Sequence, residues 1–323
     1  MATYIFRRTL QSIPILFGVA LVSFAIIQLA PGSPIDRFRT PNIRPETLEN
    51  LVRLYGLDKP VYEQFIKWIT AFVQFWNPES WGYSLVDGRS VRDTLVDRMP
   101  ATLLLGGTAL LITIIVAIPI GILAAVRQYN WADKAITTFA TVGYAIPSFL
   151  LGLYIAYLGT VVFRGLFPGF GMVSLPGVEG RGTPLDVGWH MVLPVTSLAI
   201  QQIAGWSRYV RAKMLEVLNQ DYVRTAKAKG LSAAKVTYKH ALRNALIPVI
   251  TLFGLTLPGL LSGAVITETI FSWPGLGLLG VTAVTQRDYP MVLAFVMVGG
   301  FGVVMGNLLA DILYGVVDPR IKY

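Results

Sequence analysis

Six stretches of this chain, at about 10–30, 99–126, 135–163, 189–206, 246–271 and 290–317, run on with almost no charge, and only Glu268 and Asp311 interrupt them. The first carries no charge at all, and its length suffices for a helix to cross the roughly 30 Å of hydrocarbon in a bilayer. Lipid offers no partner to a backbone N–H or C=O, so such stretches must satisfy their backbone internally, as helices. The composition agrees, since 54% hydrophobic and only 14% charged residues are far from the balance of a soluble domain. The expected fold class is all-α and integral to a membrane, with six spanning helices. A secretory signal has a shorter apolar region ending at a small-residue cleavage site, so 10–30 is expected to be retained as the first span.

Charge sets the orientation. The net charge is +9, and 207–245 alone holds Arg208, Arg211, Lys213, Arg224, Lys227, Lys229, Lys235, Lys239 and Arg243 against Glu216 and Asp221. Lys and Arg collect in cytoplasmic loops. With Arg7 and Arg8, the 127–134 connection, the 207–245 loop and the tail bearing Arg320 and Lys322 inside, every inner segment is positive. The outer segments are neutral: 31–98 carries nine Lys/Arg and nine Asp/Glu, and 164–188 is balanced and rich in Gly and Pro. Both termini are therefore expected in the cytoplasm. The chain divides into a tail and first span (1–30), a long extracytoplasmic loop (31–98) and a core of five further spans (99–323). Within the loop, 45–55 reads as a helix. Phe65, Trp68, Ile69, Phe72, Val73 and Trp76 form an aromatic stripe too short to span, as expected of an interfacial helix at the outer surface. Pro119, Pro147, Pro194 and Pro258 are expected to kink their spans, and the Gly259/Gly263 and Gly302/Gly306 pairs to allow close helix approach.

The basic loop has its own periodicity. From Arg208, the residues Leu215, Leu218, Tyr222 and Ala226 recur at helical spacing, leaving the cations on the other faces. Gly230 then breaks the run where a left-handed terminal residue is wanted, and Ser232 can cap a second helix carrying Leu231, Ala234, Tyr238, Leu242 and Ala245. Topology explains the sign of this charge. An amphipathic pair with a glycine break calls in addition for docking to a partner or to anionic lipid.

Several chemistries are excluded. Zero Cys removes disulfides and thiolate metal sites, and two isolated histidines, His190 and His240, make no metal cage. There is no G-x-x-x-x-G-K-[ST], H-E-x-x-H or G-x-S-x-G sequence, so neither a P-loop nor these hydrolase sites is present and any ATP must be used by another subunit. The run Gly275-Leu-Gly-Leu-Leu-Gly280 matches the dinucleotide pattern, but that motif needs a strand before it and a helix after it, and here it falls in a loop expected outside. Basicity concentrated in one inner loop, without aromatic or polar base readers along an exposed groove, argues against a nucleic-acid face.

Four separated motifs carry a family resemblance over nearly the whole chain. The run Asp221-Tyr-Val-Arg-Thr-Ala-Lys-Ala-Lys-Gly230-Leu231, followed by His240-Ala-Leu-Arg-Asn-Ala-Leu-Ile-Pro248, resembles the cytoplasmic loop of ABC importer permeases in its dipeptide/oligopeptide variant. The wider superfamily has Glu-Ala-Ala where Arg224, Thr225 and Ala226 stand here, and an earlier proline. The other three motifs are Leu29-Ala-Pro-Gly-Ser-Pro34, Met99-Pro-Ala-Thr-Leu-Leu-Leu105, and Glu268 to Gly277 with Arg287-Asp-Tyr-Pro290 after it.

The resemblance implies a six-helix permease fold of the type I importer kind in a bacterial cytoplasmic membrane, moving di- or oligopeptides inward without being an enzyme itself. It implies a second homologous permease subunit, two ATP-binding subunits that hold ATP and Mg, and an extracytoplasmic substrate-binding protein. No cofactor or metal is expected in this chain, and its remaining contacts are peptide and lipid, with no nucleic acid. The ATPase-coupling residues it implies are Asp221, Tyr222, Arg224, Thr225, Ala226, Lys227, Lys229, Gly230 and Leu231. Related permeases carry nickel chelates or glutathione, which stay open as cargo.

Uncharged polar residues inside spans are candidates for the translocation path: Thr141, Tyr144 and Ser148 in the third, Thr196, Ser197 and Gln201 in the fourth. Their commoner role is hydrogen bonding between helices. Glu268 and Asp311 sit near span ends, within expected reach of water or of Arg287 and Arg320. A proton relay needs an acid at mid-depth, which argues against the alternative of a proton-conducting subunit of a membrane complex.

Overall fold

The computed structural model describes residues 2–29, 44–77, 79–262 and 264–317. Among the described residues every regular element is a helix, and the sole extended pairings are the isolated bridges Tyr83–Ser90 and Arg164–Phe167. In chain order the helices are α1 (Ala2–Leu29), α2 (Pro45–Tyr55), α3 (Val61–Val73), α4 (Val91–Val126), α5 (Trp131–Ala145), α6 (Ser148–Tyr157), α7 (Pro184–Leu218), α8 (Asp221–Ala228), α9 (Ala233–Lys235), α10 (Leu242–Ala245), α11 (Ile247–Ser262), α12 (Val265–Ile270), α13 (Leu276–Thr285) and α14 (Tyr289–Val317).

Among the described residues, three helices are long and apolar enough to cross a membrane unaided: Phe6–Leu29, Val91–Val126 and Tyr289–Leu313. The stretch 135–163, expected as one span, is instead a pair bent by 102° between Trp131–Ala145 and Ser148–Val162. Proline disfavours helical geometry in the residue before it, and Ile146 has accordingly left the helix with ψ 126° ahead of Pro147. Pro119, Pro194 and Pro258, by contrast, lie inside unbroken helices. The stretch 189–206 is the middle of the much longer α7, and 246–271 is divided between α11 and α12.

The centre of the molecule is the packing of α4 along α7. Leu110, Ala117, Ile122 and Ala125 meet Ala199, Ile203, Trp206, Val210 and Met214, all nearly closed to solvent. Gly121 permits this closeness, because a Cβ there would collide with Val210 and the Ser207 carbonyl. A second close pair is α11 on α14. It is not made by Gly259, which faces open space, whereas a Cβ on Gly306 would meet the Pro258 backbone and one on Gly254 would meet Ala310. Gly263 lies outside the described residues.

α1 lies against α14, where Arg8 Nε meets Asp311 Oδ2 at 2.8 Å. Asp311 thus finds its cation on the first helix; Arg320, expected to supply it, lies outside the described residues, as do Lys322 and the motif residues 30–34. The aromatic stripe of α3 turns toward α1: Phe24 packs on Phe65 and Trp68 at ring separations of 5.3 and 5.8 Å. Phe72 stacks on Trp81 at 4.4 Å, while Trp76 stays exposed. Elsewhere on α1, Phe6, Ile13, Ile15, Val22 and Ile26 are more than half exposed. An apolar face this long is stable in lipid and a liability in water.

Candidate functional site

α7 does not stop where its apolar stretch ends. It continues through Arg208, Arg211 and Lys213 to Leu218, so the first part of the basic loop is a helical extension of the stretch expected as the fourth span. The single helix expected from Arg208 to the glycine is in fact two. Asn219 donates its Nδ2 to the Leu215 carbonyl at 2.9 Å, a side-chain bond that competes with continuation of the ladder, and Gln220 is extended at ψ 150°.

The eight-residue α8 that follows holds on by a narrow stripe. Val223 and Ala226 are buried against Val236, with Val217, Leu218 and Leu231 around them. Asn244 Nδ2 donates to the Tyr222 hydroxyl at 2.9 Å, which ties α8 to α10. Everything else on α8 points out: the side chains of Asp221 and Arg224 are 98% and 75% exposed and 3.7 Å apart, and Thr225, Lys227 and Lys229 are also exposed. Gly230 adopts φ +73° and donates its N–H to the Lys227 carbonyl, with nothing within 4 Å of where a Cβ would stand. Its role is conformational rather than steric.

Ser232 caps the next segment, accepting from Lys235 N at 3.4 Å. The apolar stripe expected there holds at Leu231, Leu242 and Ala245 but shifts between them. Val236–Ala241 is a π-helical stretch, whose wider turn advances the register, so Val236, Ala241 and Ala245 are buried while Ala234 and Tyr238 face out. A small, polar-faced helix is thereby presented at the tip of a long lever, a geometry suited to docking in a partner's cleft.

The six path candidates do not share one lining. Thr141 and Thr196 are exposed, but each hydroxyl bonds a carbonyl one turn back in its own helix, Thr137 and Val192. Ser197 is buried against α6, where a Cβ on Gly152 would stand 3.3 Å from its Oγ. Gln201 Nε2 donates to the Ile146 carbonyl at the bend, an interhelical bond of the commoner kind. Ser148 is exposed at the start of α6. Tyr144 alone of the six lines the groove of about 410 Å³ shared with Gly205, Arg208 and Tyr209.

At the opposite end of the bundle, Glu268 is fully buried, contrary to the water or arginine contact expected near a span end, and among the described residues no arginine pairs with it. Its carboxylate accepts from Thr102 Oγ1 at 2.9 Å and from the Leu278 backbone N–H at 3.1 Å, closing the N-terminus of α13. The Gly-x-Gly-x-x-Gly run, expected in a loop, is the start of that helix. A Cβ on Gly275 would strike Glu268 and Thr102, one on Gly277 would strike Val265, and one on Gly280 would strike Phe295. A helix N-terminus leaves backbone N–H groups in need of acceptors, and here the acceptor is a side chain of the same protein. Beside it Trp273 donates its indole N–H to the Ala101 carbonyl at 2.8 Å. Asp288 is buried and accepts from the Ser84 hydroxyl and the Leu85 amide, tying the 31–98 loop to the α13–α14 turn.

In the 164–188 loop, Asp186 accepts from the Ser174 hydroxyl at 2.6 Å and from the amides of Gly182 and Ser174. These bonds, the Ser174 hydroxyl foremost, hold its carboxyl down at about 2. Among the described residues no group of three or more His, Cys, Asp or Glu is placed to hold a metal ion.

The contact that the sequence reading missed is Asp133 with Arg211. Arg211 grips the carboxylate with both arms, Nε at 2.6 Å and Nη2 at 2.9 Å. The available signal was an acid in the otherwise positive connection 127–134.

The chain matches the family described as "Binding-protein-dependent transport system inner membrane component" over residues 117–323, and that family's N-terminal companion over 1–106. It is 44% identical to the oligopeptide transport system permease protein AppB of Bacillus subtilis, with 100% of both chains covered. It is 38% identical to the dipeptide transport system permease protein DppB of Escherichia coli, over 100% of this chain and 99% of the relative. The glutathione transport system permease protein GsiC of Shigella flexneri is 36% identical over 100% of both. In three dimensions it resembles a chain of the MetNI methionine ABC transporter in an inward-facing conformation, with a TM-score of 0.54 over 70% of this chain and 96% of that one. At 16% identity this likeness speaks to the fold alone.

Proposed function

The chain belongs to the binding-protein-dependent transport system inner membrane components, and from that membership we propose that it is the membrane-spanning subunit of an ATP-driven importer of di- and oligopeptides. The observation that carries this reading is likeness over the full chain to an oligopeptide and a dipeptide permease. It works in a bacterial inner membrane, crossing it six times with both termini and the 207–245 loop inside. Its partners are a second, similar permease, two ATP-binding subunits that hold ATP and Mg, and an extracytoplasmic binding protein received by the 31–98 loop.

The exposed face of α8, with Asp221, Tyr222, Arg224, Thr225, Lys227 and Lys229, seats in the ATP-binding subunit. Ala226 lies on its inward side, and Gly230 and Leu231 set its end. When those subunits close on ATP they displace α8. Because α8 is packed on the last turn of α7, the displacement moves a spanning helix and not merely a loop. Differential contact with the two ATPase states is the thermodynamic requirement for such coupling. Peptide passes beside α5 and α7 at the groove that Tyr144 lines with Gly205, Arg208 and Tyr209. The full-length likeness to a glutathione permease supports glutathione as a further cargo of the same path.

The test is gentle purification from the native membrane followed by reconstitution. Recovery of a second permease and P-loop ATPases, with ATP-dependent depletion of a di- to pentapeptide mixture read by mass spectrometry, is the expected result. Recovery of the chain alone, or with redox subunits, overturns the reading.

A further inference from the structure

Asp133 stands in the first turn of α5, with its side chain 5% exposed. Its two oxygens accept four hydrogen bonds, from Arg211 Nε and Nη2, from the Tyr129 amide at 2.9 Å and from the Thr137 hydroxyl at 3.3 Å. The Tyr129 bond is made with that residue at φ +65°, a region unfavourable for a tyrosine and held here by the carboxylate. A planar guanidinium matched to a carboxylate by two parallel bonds fixes orientation as well as distance, which a single-point lysine contact does not.

The position of this fork gives it meaning. Arg211 lies on the extension of α7, one to two turns before Val217 and Leu218, which seat α8. At the other end of α5, Gln201 of the same α7 holds the Ile146 carbonyl at 2.5 Å. Between the two ties the helices touch through Gly143, where a Cβ would stand 3.4 Å from that of Ala204. α5 is thus fastened to α7 at both ends, and at Pro147, just beyond it, the chain turns by 102° into α6.

We infer that Asp133 and Arg211 are positioning residues for coupling: their fork makes α5, α7 and α8 one body, so that displacement of α8 is delivered to α5 and the groove at Tyr144. This rests on the importer reading. Without the fork, α8 and the end of α7 move while α5 lags.

The experiment uses the whole transporter reconstituted with its partner subunits. The chain has no cysteine, so Trp131→Cys on α5 and Ala228→Cys on α8, both exposed positions, can be spin-labelled as a pair. With the fork intact, their distance distribution is narrow and unchanged by ATP. Asp133→Asn and Arg211→Lys each broaden it, and peptide taken up per ATP hydrolysed falls about tenfold at unchanged subunit recovery. Asp133→Glu stays within twofold of wild type.

An equally narrow distribution in Asp133→Asn overturns the proposal, as does unchanged peptide per ATP. So does a loss of uptake and hydrolysis in proportion to lost subunit recovery, which is the mark of a purely structural pair. A wild-type complex that takes up no peptide overturns the importer reading instead, and the distance measurement then decides the fork by itself.

Discussion

Glu268 and Thr102 come from helices 166 residues apart in the chain and meet at 2.9 Å, 0% and 2% exposed. Thr102 also accepts the Leu276 amide at 2.7 Å, so the pair together satisfies two donors at the start of α13. Removing the Glu268 side chain leaves the Leu278 amide and the Thr102 hydroxyl without their acceptor, at about 2 kcal/mol or more. Glu268→Ala and Gly275→Ala are both expected to lower the thermal midpoint of the purified subunit by several degrees, the first by loss of the acceptor and the second by collision with it. An unchanged midpoint for either would remove the carboxylate from its structural role.

At Gly230 the space around the missing Cβ is open, and only φ +73° is demanding. A branched residue in the left-handed region costs roughly 1–2 kcal/mol, whereas asparagine visits it readily. Gly230→Leu is expected to insert normally yet transport at a small fraction of the wild-type rate with hydrolysis retained, while Gly230→Asn stays near wild type. Normal peptide uptake by the leucine variant would sink the coupling role of this turn.

The Asp186 anchor gives a pH dependence with a definite sign. Its carboxyl is held at about 2 against an ordinary 3.8, so the folded loop favours the ionised form. The stability it adds is full above about pH 4 and is lost as the pH falls from there through about 2. Hydrogen exchange at the Ser174 and Gly182 amides, corrected for intrinsic rates, should show constant protection from pH 7 to 5 and lose it in that acid window. Protection that weakens on going up in pH would contradict the assignment.

Two glycines of similar appearance are expected to behave oppositely. A Cβ on Gly306 would press on the backbone of Pro258, which cannot yield as a side chain can, so Gly306→Ala should destabilise by about 1–3 kcal/mol. Gly259→Ala meets nothing and should be neutral or slightly stabilising in thermal unfolding of the detergent-solubilised subunit.

Much of the architecture was legible in the sequence because its physics is local or one-dimensional. The uncharged runs gave the first, second and sixth spans, found as helices at Phe6–Leu29, Val91–Val126 and Tyr289–Leu313. The helix read at 45–55 is α2, and Ser232 caps as its residue type suggested. Where local signals competed, the sequence was ambiguous. Asn219 ends α7 early by bonding back to Leu215, and the π-helical stretch after Lys235 moves the buried face by a residue or two, neither of which periodicity at 3.6 can register.

The sequence by itself determined the solvent of this protein, its helical character, the place of its charge and the glycine that ends α8, since each depends on residues close together in the chain. Only the tertiary structure decided which prolines bend, which glycines are close contacts, that Glu268 closes a helix and that Asp133 grips Arg211. Those outcomes rest on partners 10 to 166 residues away, brought to between 2.6 and 3.1 Å by the packing of α4, α5 and α7 and of the outer helices around them. A composition or a spacing carries no record of such distances.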